Sequence, residues 1–146
     1  SHIDIDVLQP NHATRYEREN ANSLIVLVSY AGRRLLLTGD LEREGLAEFL
    51  QRQRRPVDFV IAPHHGSRLA NPPEFGAWTH PGWVAISASE LGATDKLREC
   101  YPTDTVLLNT ATAGRIRCVV DPAGTLQIQT FRELAGSDLR PSRFAP

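Results

Sequence analysis

Polar side chains follow two apolar runs of the sequence, at the point where each run ends. The run "RRLLLTGD" finishes on Asp40, and the run "VDFVIAPHHGS" carries His64, His65 and Ser67 at its end. Both runs have the length and composition of buried β-strands. Because an open sheet delivers functional groups at the carboxyl ends of its strands, we expect these side chains to lie at one edge of a sheet.

A carboxylate and an imidazole in this arrangement are suited to a divalent metal ion such as zinc. Neutral imidazole nitrogen and carboxylate oxygen are both common ligands of such ions. Asp40 is equally compatible with the N-cap of a helix that follows it. A single histidine is more often a hydrogen-bonded core residue, whereas the adjacent pair His64 and His65, beside Gly66 and Ser67, favours a functional site.

Strand and helix patterns alternate along the chain, which predicts an α/β fold with a mixed sheet and flanking helices. A strand is predicted at residues 3–10, followed by a hairpin that turns at Ala31 and Gly32. Both arms of this hairpin are almost continuously apolar, so we expect other layers to cover both of its faces. Further strands are predicted within residues 57–63, 82–88, 105–110, 114–121 and 125–132, and helices within residues 41–53, 71–80 and 93–101.

The composition is that of one globular domain. The chain has 146 residues, of which 41% are hydrophobic and 23% charged, and its formal net charge is −1. A charge this close to zero gives no overall basic field for nucleic-acid binding. Two cysteines, Cys100 and Cys118, cannot form a disulfide framework and are interpreted as small packed residues. No apolar run approaches the roughly 20 residues needed to span a bilayer.

The chain divides into three predicted parts. Ser1 and His2 have the appearance of a tag remnant. Residues 3–132 carry all of the strand and helix patterns and form the predicted domain. Residues 133–146, "ELAGSDLRPSRFAP", are predicted to be a loose tail.

Three motifs together resemble a known family. "NANSL" (residues 20–24), "TGD" (residues 38–40) and "HHGS" (residues 64–67) occur here in that order. This arrangement resembles the metallo-β-lactamase-fold domain at the C-terminus of ComEC-type competence proteins, and the resemblance covers most of residues 3–132. It implies the C-terminal half of an αββα sandwich.

The resemblance also implies a function and a set of roles. Asp40 would bridge two metal ions, zinc or manganese, while one histidine of the His64–His65 pair ligates the second ion and the other faces substrate or the metal-bound water. Ser67 and Arg68 would contact a phosphate or only shape the turn. The reaction would be hydrolysis of phosphodiester bonds in DNA, in a parent protein attached to a channel of the bacterial inner membrane. This segment itself is not expected to contact the membrane.

The sequence departs from the family pattern at several points. The main metal motif of the family, His-x-His-x-Asp-His, does not occur in this chain, and neither does its later Gly-His-Pro motif. Gln9 stands where the family often has a ligand histidine, and His12 is close to it but in a different register. We therefore predict that this chain alone is inactive and holds no metal tightly.

These departures lead to one structural expectation and leave two alternatives. A partial sheet would leave an unpaired edge or an exposed apolar face, so we expect self-association or pairing with the missing half of the domain. One alternative function is that of a non-catalytic, degenerate domain with a structural or interaction role. The other is a metallo-hydrolase of the same fold that acts on small phosphodiesters or other esters.

Overall fold

A computed structural model describes residues 2–11, 13 and 15–132 of the chain. Ser1 of the proposed tag remnant, His12 and the predicted tail at residues 133–146 lie outside the described residues. The strands are β1 Ile3–Gln9, β2 Ile25–Tyr30, β3 Arg33–Leu37, β4 Phe59–Ile61, β5 Trp83–Ile86, β6 Val106–Asn109, β7 Ile116–Val120 and β8 Leu126–Thr130. The helices are α1 Arg43–Leu50, α2 Pro73–Thr79, α3 Ala93–Leu97 and α4 Thr110–Ala113, with short 3₁₀ turns at Glu19–Asn22, Pro63–Gly66 and Arg98–Cys100.

The first six strands form one mixed sheet in the order β1-β2-β3-β4-β5-β6. Strands β1, β2 and β3 pair antiparallel, whereas β3, β4, β5 and β6 pair parallel. The β2–β3 hairpin turns at Ala31 and Gly32, as predicted, and both residues have positive φ angles there. The prediction of an α/β fold with a mixed sheet and flanking helices is confirmed. The parallel strands bring their carboxyl ends to one edge, and that edge carries the predicted site residues.

Helices α1, α2 and α3 cover one face of the sheet. Phe49 of α1 and Trp78 of α2 lie at the centre of this layer, with their ring centroids 4.4 Å apart. Both side chains are buried against sheet residues such as Val60 and Val84. Helix α1 forms because Leu46, Phe49 and Leu50 recur at helical spacing and so share one apolar side. This layer holds the ends of β3 and β4 in place from beneath.

Gly45 lets α1 approach the preceding turn more closely than another residue would. A Cβ atom at this position would meet the backbone carbonyl of Ala21, which belongs to the 3₁₀ turn Glu19–Asn22. We expect Gly45→Ala to lower the free energy of unfolding by about 1–3 kcal/mol through overpacking. Urea denaturation measures the change. Gly92→Ala is the matched control, because its Cβ would have no neighbour within 4 Å and should change stability by less than about 1 kcal/mol. Equal losses in both variants would contradict the packing argument.

The β7–β8 hairpin covers only part of the opposite face of the sheet. A second apolar core lies beneath it, made by Phe59, Trp83 and Leu108 of the sheet with Ile116 and Ile128 of the hairpin. Cys118 also packs here, where burial raises the pKa of its thiol to about 11, and both cysteines are free. Cys100 is buried in the helix-covered core instead, so the interpretation of both cysteines as packed residues agrees with their surroundings.

The remaining part of that face is not covered by any element of the described residues. Its exposed apolar side chains, which we call the open face, are Ile3, Ile5, Val7, Leu37 and Ile61. The pairing register places these residues on the same side of the sheet as Phe59, next to the area that the hairpin covers. The expectation that both faces of the β2–β3 hairpin are covered is therefore wrong, because β7–β8 does not extend over β1 and β2. No helix in the described part of the chain is long and apolar enough to cross a bilayer.

Candidate functional site

Hydrogen bonds join the ends of β3 and β4 directly. The hydroxyl of Thr38 donates to the carbonyl of Ile61 over 2.7 Å, and the backbone N–H of His64 donates to the carbonyl of Gly39 over 3.1 Å. Thr38 is fully buried, and Gly39 has a φ angle of +53°. The two turns that the sequence singles out are therefore adjacent, and their side chains project from the same edge.

The turn after β4 has an uncommon backbone. His64, His65 and Gly66 have φ angles of +48°, +54° and +79° in succession. Positive φ is uncommon for residues other than glycine, and such conformations cluster at functional sites. Gly66 is required for a second reason, since a Cβ atom there would lie 2.7 Å from Cγ2 of Ile86. Packing against Ile86 and Leu97 thus leaves no room for a side chain at Gly66.

Asp40 and His65 come together in the structure. Nε2 of His65 lies 3.6 Å from Oδ1 of Asp40, while Nδ1 of His65 lies 3.0 Å from the carbonyl oxygen of Ser87 at the end of β5. Both side chains are substantially exposed, Asp40 at 47% and His65 at 65%. Asp40 does not cap α1: the N-cap position is occupied by Glu42, and no side chain caps that helix. The acidic group is therefore directed to the histidine pair.

His64 has a different acidic neighbour, which sequence reasoning missed. Its Nδ1 lies 3.0 Å from Oε2 of Glu42, and Oε1 of Glu42 accepts a hydrogen bond of 3.2 Å from the side-chain amide of Asn20. Glu42 follows Asp40 by two residues, and Asn20 opens the "NANSL" motif. The position of Glu42 so close to Asp40 is the feature of the sequence that could have identified it as a second acidic residue of the site. The site contains two separate histidine–carboxylate pairs, with the imidazole centroids 6.4 Å apart.

A buried network supports the histidine turn from below. The side-chain amide of Asn71 donates to the carbonyls of Pro63 and Ser67, at 3.0 Å and 2.7 Å, on both sides of the histidine pair. The hydroxyl of Tyr101 donates to Oδ1 of Asn71 over 2.6 Å. Burial raises the pKa of Tyr101 well above its usual value, so the hydroxyl keeps its proton. Nothing in the local sequence indicates this network, because Tyr101 follows Asn71 by 30 residues.

Ser67 and Arg68 lie beside the histidine pair. The backbone N–H of Ser67 donates to the carbonyl of His64 over 2.9 Å, which closes the turn. Arg68 is largely exposed and forms a loose ion pair of 3.7 Å with Glu99. The contribution of Ser67 to turn formation is visible in this geometry. A contact of either side chain with a phosphate stays a prediction.

The two pairs do not amount to a complete metal centre. Within residues 2–11, 13 and 15–132, no three or more His, Cys, Asp or Glu side chains converge so that they could hold a metal ion. The donor types suit zinc, but each imidazole has a single carboxylate beside it. Gln9 adds no ligand to this edge, because it is 1% exposed and its amide donates to the carbonyl of Gly45 over 2.9 Å. The residues described here do not by themselves fit a two-metal site.

The fold and site thus define a mixed α/β sheet protein with two histidine–carboxylate pairs at the carboxyl edge of its parallel strands. In comparisons with known proteins, no protein-family model matches the chain, and no curated protein is significantly similar to it.

Proposed function

We propose that this chain is the C-terminal half of a metallo-β-lactamase-like domain of the ComEC type. In the intact parent it would take part in metal-dependent hydrolysis of phosphodiester bonds in DNA. The observation that supports this proposal most strongly is the approach of His65 to Asp40, at 3.6 Å, on adjacent strand ends. A carboxylate and an imidazole brought together from distant parts of the sequence are the type of donor pair that a hydrolytic metal centre uses.

The shape of the sheet supports the proposed half-domain. An αββα sandwich has two sheets packed face to face, with helices on the outside. In this chain helices cover one face, and β7–β8 covers only part of the opposite face, against residues of β3 to β6 such as Leu35 and Phe59. The open face, with Ile5 and Val7 exposed at 64% and 61%, is where the rest of a second sheet would pack. Such an apolar surface favours a covering segment, supplied by the other half of the domain or by a second copy.

The roles of the site residues follow from this proposal. Asp40 and His65 contribute ligands for zinc or manganese, and the remaining ligands come from a further polypeptide segment. His64 is held by Glu42 and faces substrate or contributes a second imidazole ligand. Ser67 is a candidate contact for a phosphate. On this proposal the chain alone is inactive, since the donors among its described residues form no complete set.

The proposal is tested by comparing the intact parent with this chain alone. Each is assayed for cleavage of single-stranded DNA with added Mn²⁺ or Zn²⁺. We expect cleavage by the parent that a chelator abolishes, and negligible cleavage by the chain alone. Inactivity of the metal-loaded parent on DNA would overturn the proposal; parallel activity on bis-p-nitrophenyl phosphate would identify a hydrolase of small phosphodiesters. Robust cleavage by the chain alone would show that no further ligands are needed.

A second candidate is a non-catalytic domain with a structural or interaction role. The buried position of Gln9, which serves helix packing, favours this alternative, as does the lack of a three-donor group among the described residues. The two functions differ in one measurable property. A non-catalytic parent would bind no stoichiometric metal in elemental analysis, whereas an active parent would contain it.

A further inference from the structure

Strand β1 forms an edge of the main sheet that none of the other described strands covers. Its first five residues are exposed, and only Leu8 and Gln9, at its end, are partly or fully buried. Within the described part of the chain, β1 pairs with β2 alone. At the opposite edge, β6 is half-buried in its first two residues and buried in its last two. An exposed edge of this length has free backbone donors and acceptors and can pair with another strand.

The two sides of β1 have different chemistry. Ile3, Ile5 and Val7 belong to the open face, whereas Asp4 and Asp6 point to the helix-covered side, where Asp6 lies opposite the buried Leu27 of β2. In a strand paired with β1, one set of alternate side chains would lie beside Ile3, Ile5 and Val7. The other set would lie beside Asp4 and Asp6. The aspartates therefore select which strands can pair here.

The charges on β1 disfavour pairing with a second copy of this chain. Antiparallel pairing centred on Ile5 sets Asp4 opposite the Asp6 of the other copy, twice over, and pairing centred on Asp6 sets this residue opposite itself. Like charges directly opposite each other destabilise a sheet. Centring the pairing on Val7 separates the carboxylates, but it sets Asp6 opposite Leu8 and leaves only Ile5 to Gln9 paired. Parallel, in-register pairing of two copies sets each aspartate beside the same aspartate of the other copy, so the like charges repel there as well.

The present partners of these aspartates hold them weakly. Asp6 forms an ion pair of 3.0 Å with Arg55, and both side chains are about half exposed. Asp4 lies 3.3 Å from Nε2 of His2, and both of these side chains are largely exposed. Exposed ion pairs of this kind contribute little to stability, so they are readily exchanged for pairs with an incoming strand. The carboxylates are available to a partner.

We propose that β1 pairs with a strand of another polypeptide segment that alternates apolar and basic residues. The partner's apolar side chains lie opposite Ile3, Ile5 and Val7, and its Lys or Arg side chains lie opposite Asp4 and Asp6. Main-chain hydrogen bonds provide the affinity, and the alternating side chains provide the selectivity. This inference rests on the proposed completion of the domain by a further segment, but it is independent of any chemistry at the histidine pairs.

The test uses a disulfide-closed β-hairpin peptide whose outer strand alternates valine and lysine, since a preorganised strand loses less entropy on binding. Its control has glutamate in place of every lysine. Each labelled peptide is titrated with this chain by fluorescence anisotropy, and hydrogen exchange locates the protected amides. We expect the lysine peptide to bind at least about fivefold more tightly and to protect β1. The Asp4→Lys/Asp6→Lys variant should reverse this preference.

Several results would overturn the inference. Equal binding of both peptides, protection at β6 instead of β1, or no binding at about 1 mM peptide would each do so. A wild-type dimer in sedimentation that Ile5→Pro abolishes would identify a second copy as the occupant instead. The outcome is independent of the nuclease assay, so failure of one proposal is distinguishable from failure of the other.

Discussion

Replacing Asp40 with Asn, or His65 with Asn, is expected to lower kcat/KM for DNA cleavage by the intact parent at least about 100-fold. These two side chains lie 3.6 Å apart and are the proposed metal ligands. Replacing even a residue that only supports a metal ligand commonly lowers metal affinity or activity by about 10–100-fold. Both side chains are substantially exposed, so neither variant leaves a buried cavity or an uncompensated buried charge. The thermal midpoint should therefore stay within a few degrees of the wild-type value.

Two matched controls distinguish the loss of kcat/KM at the proposed ligands from a nonspecific effect of replacing any aspartate or histidine. Asp104→Asn changes an aspartate that precedes β6, and His80→Asn changes a histidine between α2 and β5. Both positions lie before strands of the parallel part of the sheet, at the end opposite the site. Asparagine also tolerates the left-handed conformation that His80 adopts, with φ of +38°. Full activity in Asp40→Asn and His65→Asn would remove these residues from the mechanism.

Asn71→Ala is expected to have the largest effect on stability among single changes near the site. It removes the side-chain donor to the carbonyls of Pro63 and Ser67 and the acceptor for the buried hydroxyl of Tyr101. The Ser67 carbonyl keeps the backbone N–H of Ala70 as a donor, so the loss falls mainly on Pro63 and Tyr101. Each such loss costs about 1–3 kcal/mol, so we expect the free energy of unfolding to fall by about 2–4 kcal/mol in urea denaturation. In the parent, the released histidine turn should also reduce kcat/KM, since a displacement of about 1 Å can cost on the order of 100-fold.

Tyr101→Phe tests the network at its other end. This variant keeps the ring packed against Phe75 but removes the hydroxyl, so Oδ1 of Asn71 loses its donor while both turn carbonyls keep theirs. Its loss of stability should be about 1–2 kcal/mol, smaller than that of Asn71→Ala. Asn11→Ala, at an exposed loop position, is the control and should be nearly neutral. A neutral Asn71→Ala would mean that the turn does not depend on this amide.

The local patterns of the sequence were sufficient to predict most strands and helices and to predict part of the candidate site. Apolar runs of strand length predicted β2 to β6, and the Ala31–Gly32 turn predicted the hairpin. They also predicted that Asp40 and the histidine pair lie at one edge, because the carboxyl ends of parallel strands share an edge. Helix ends were less predictable. Asp40 was an equally good N-cap candidate, and only the start of α1 at Arg43 decided against it.

Contacts between distant residues were decided by the tertiary structure alone. The sequence shows two adjacent histidines, but not that His65 meets Asp40 while His64 meets Glu42, or that Asn71 and Tyr101 hold the turn from beneath. The extent of the open face was equally hidden, since the apolar residues of β1 have the same pattern whether or not a second layer covers them. Hydrophobic periodicity indicates which side chains share one side of a strand or helix, because it depends only on neighbours along the chain. Which groups meet, and which surfaces stay exposed, depends on how the elements pack in three dimensions.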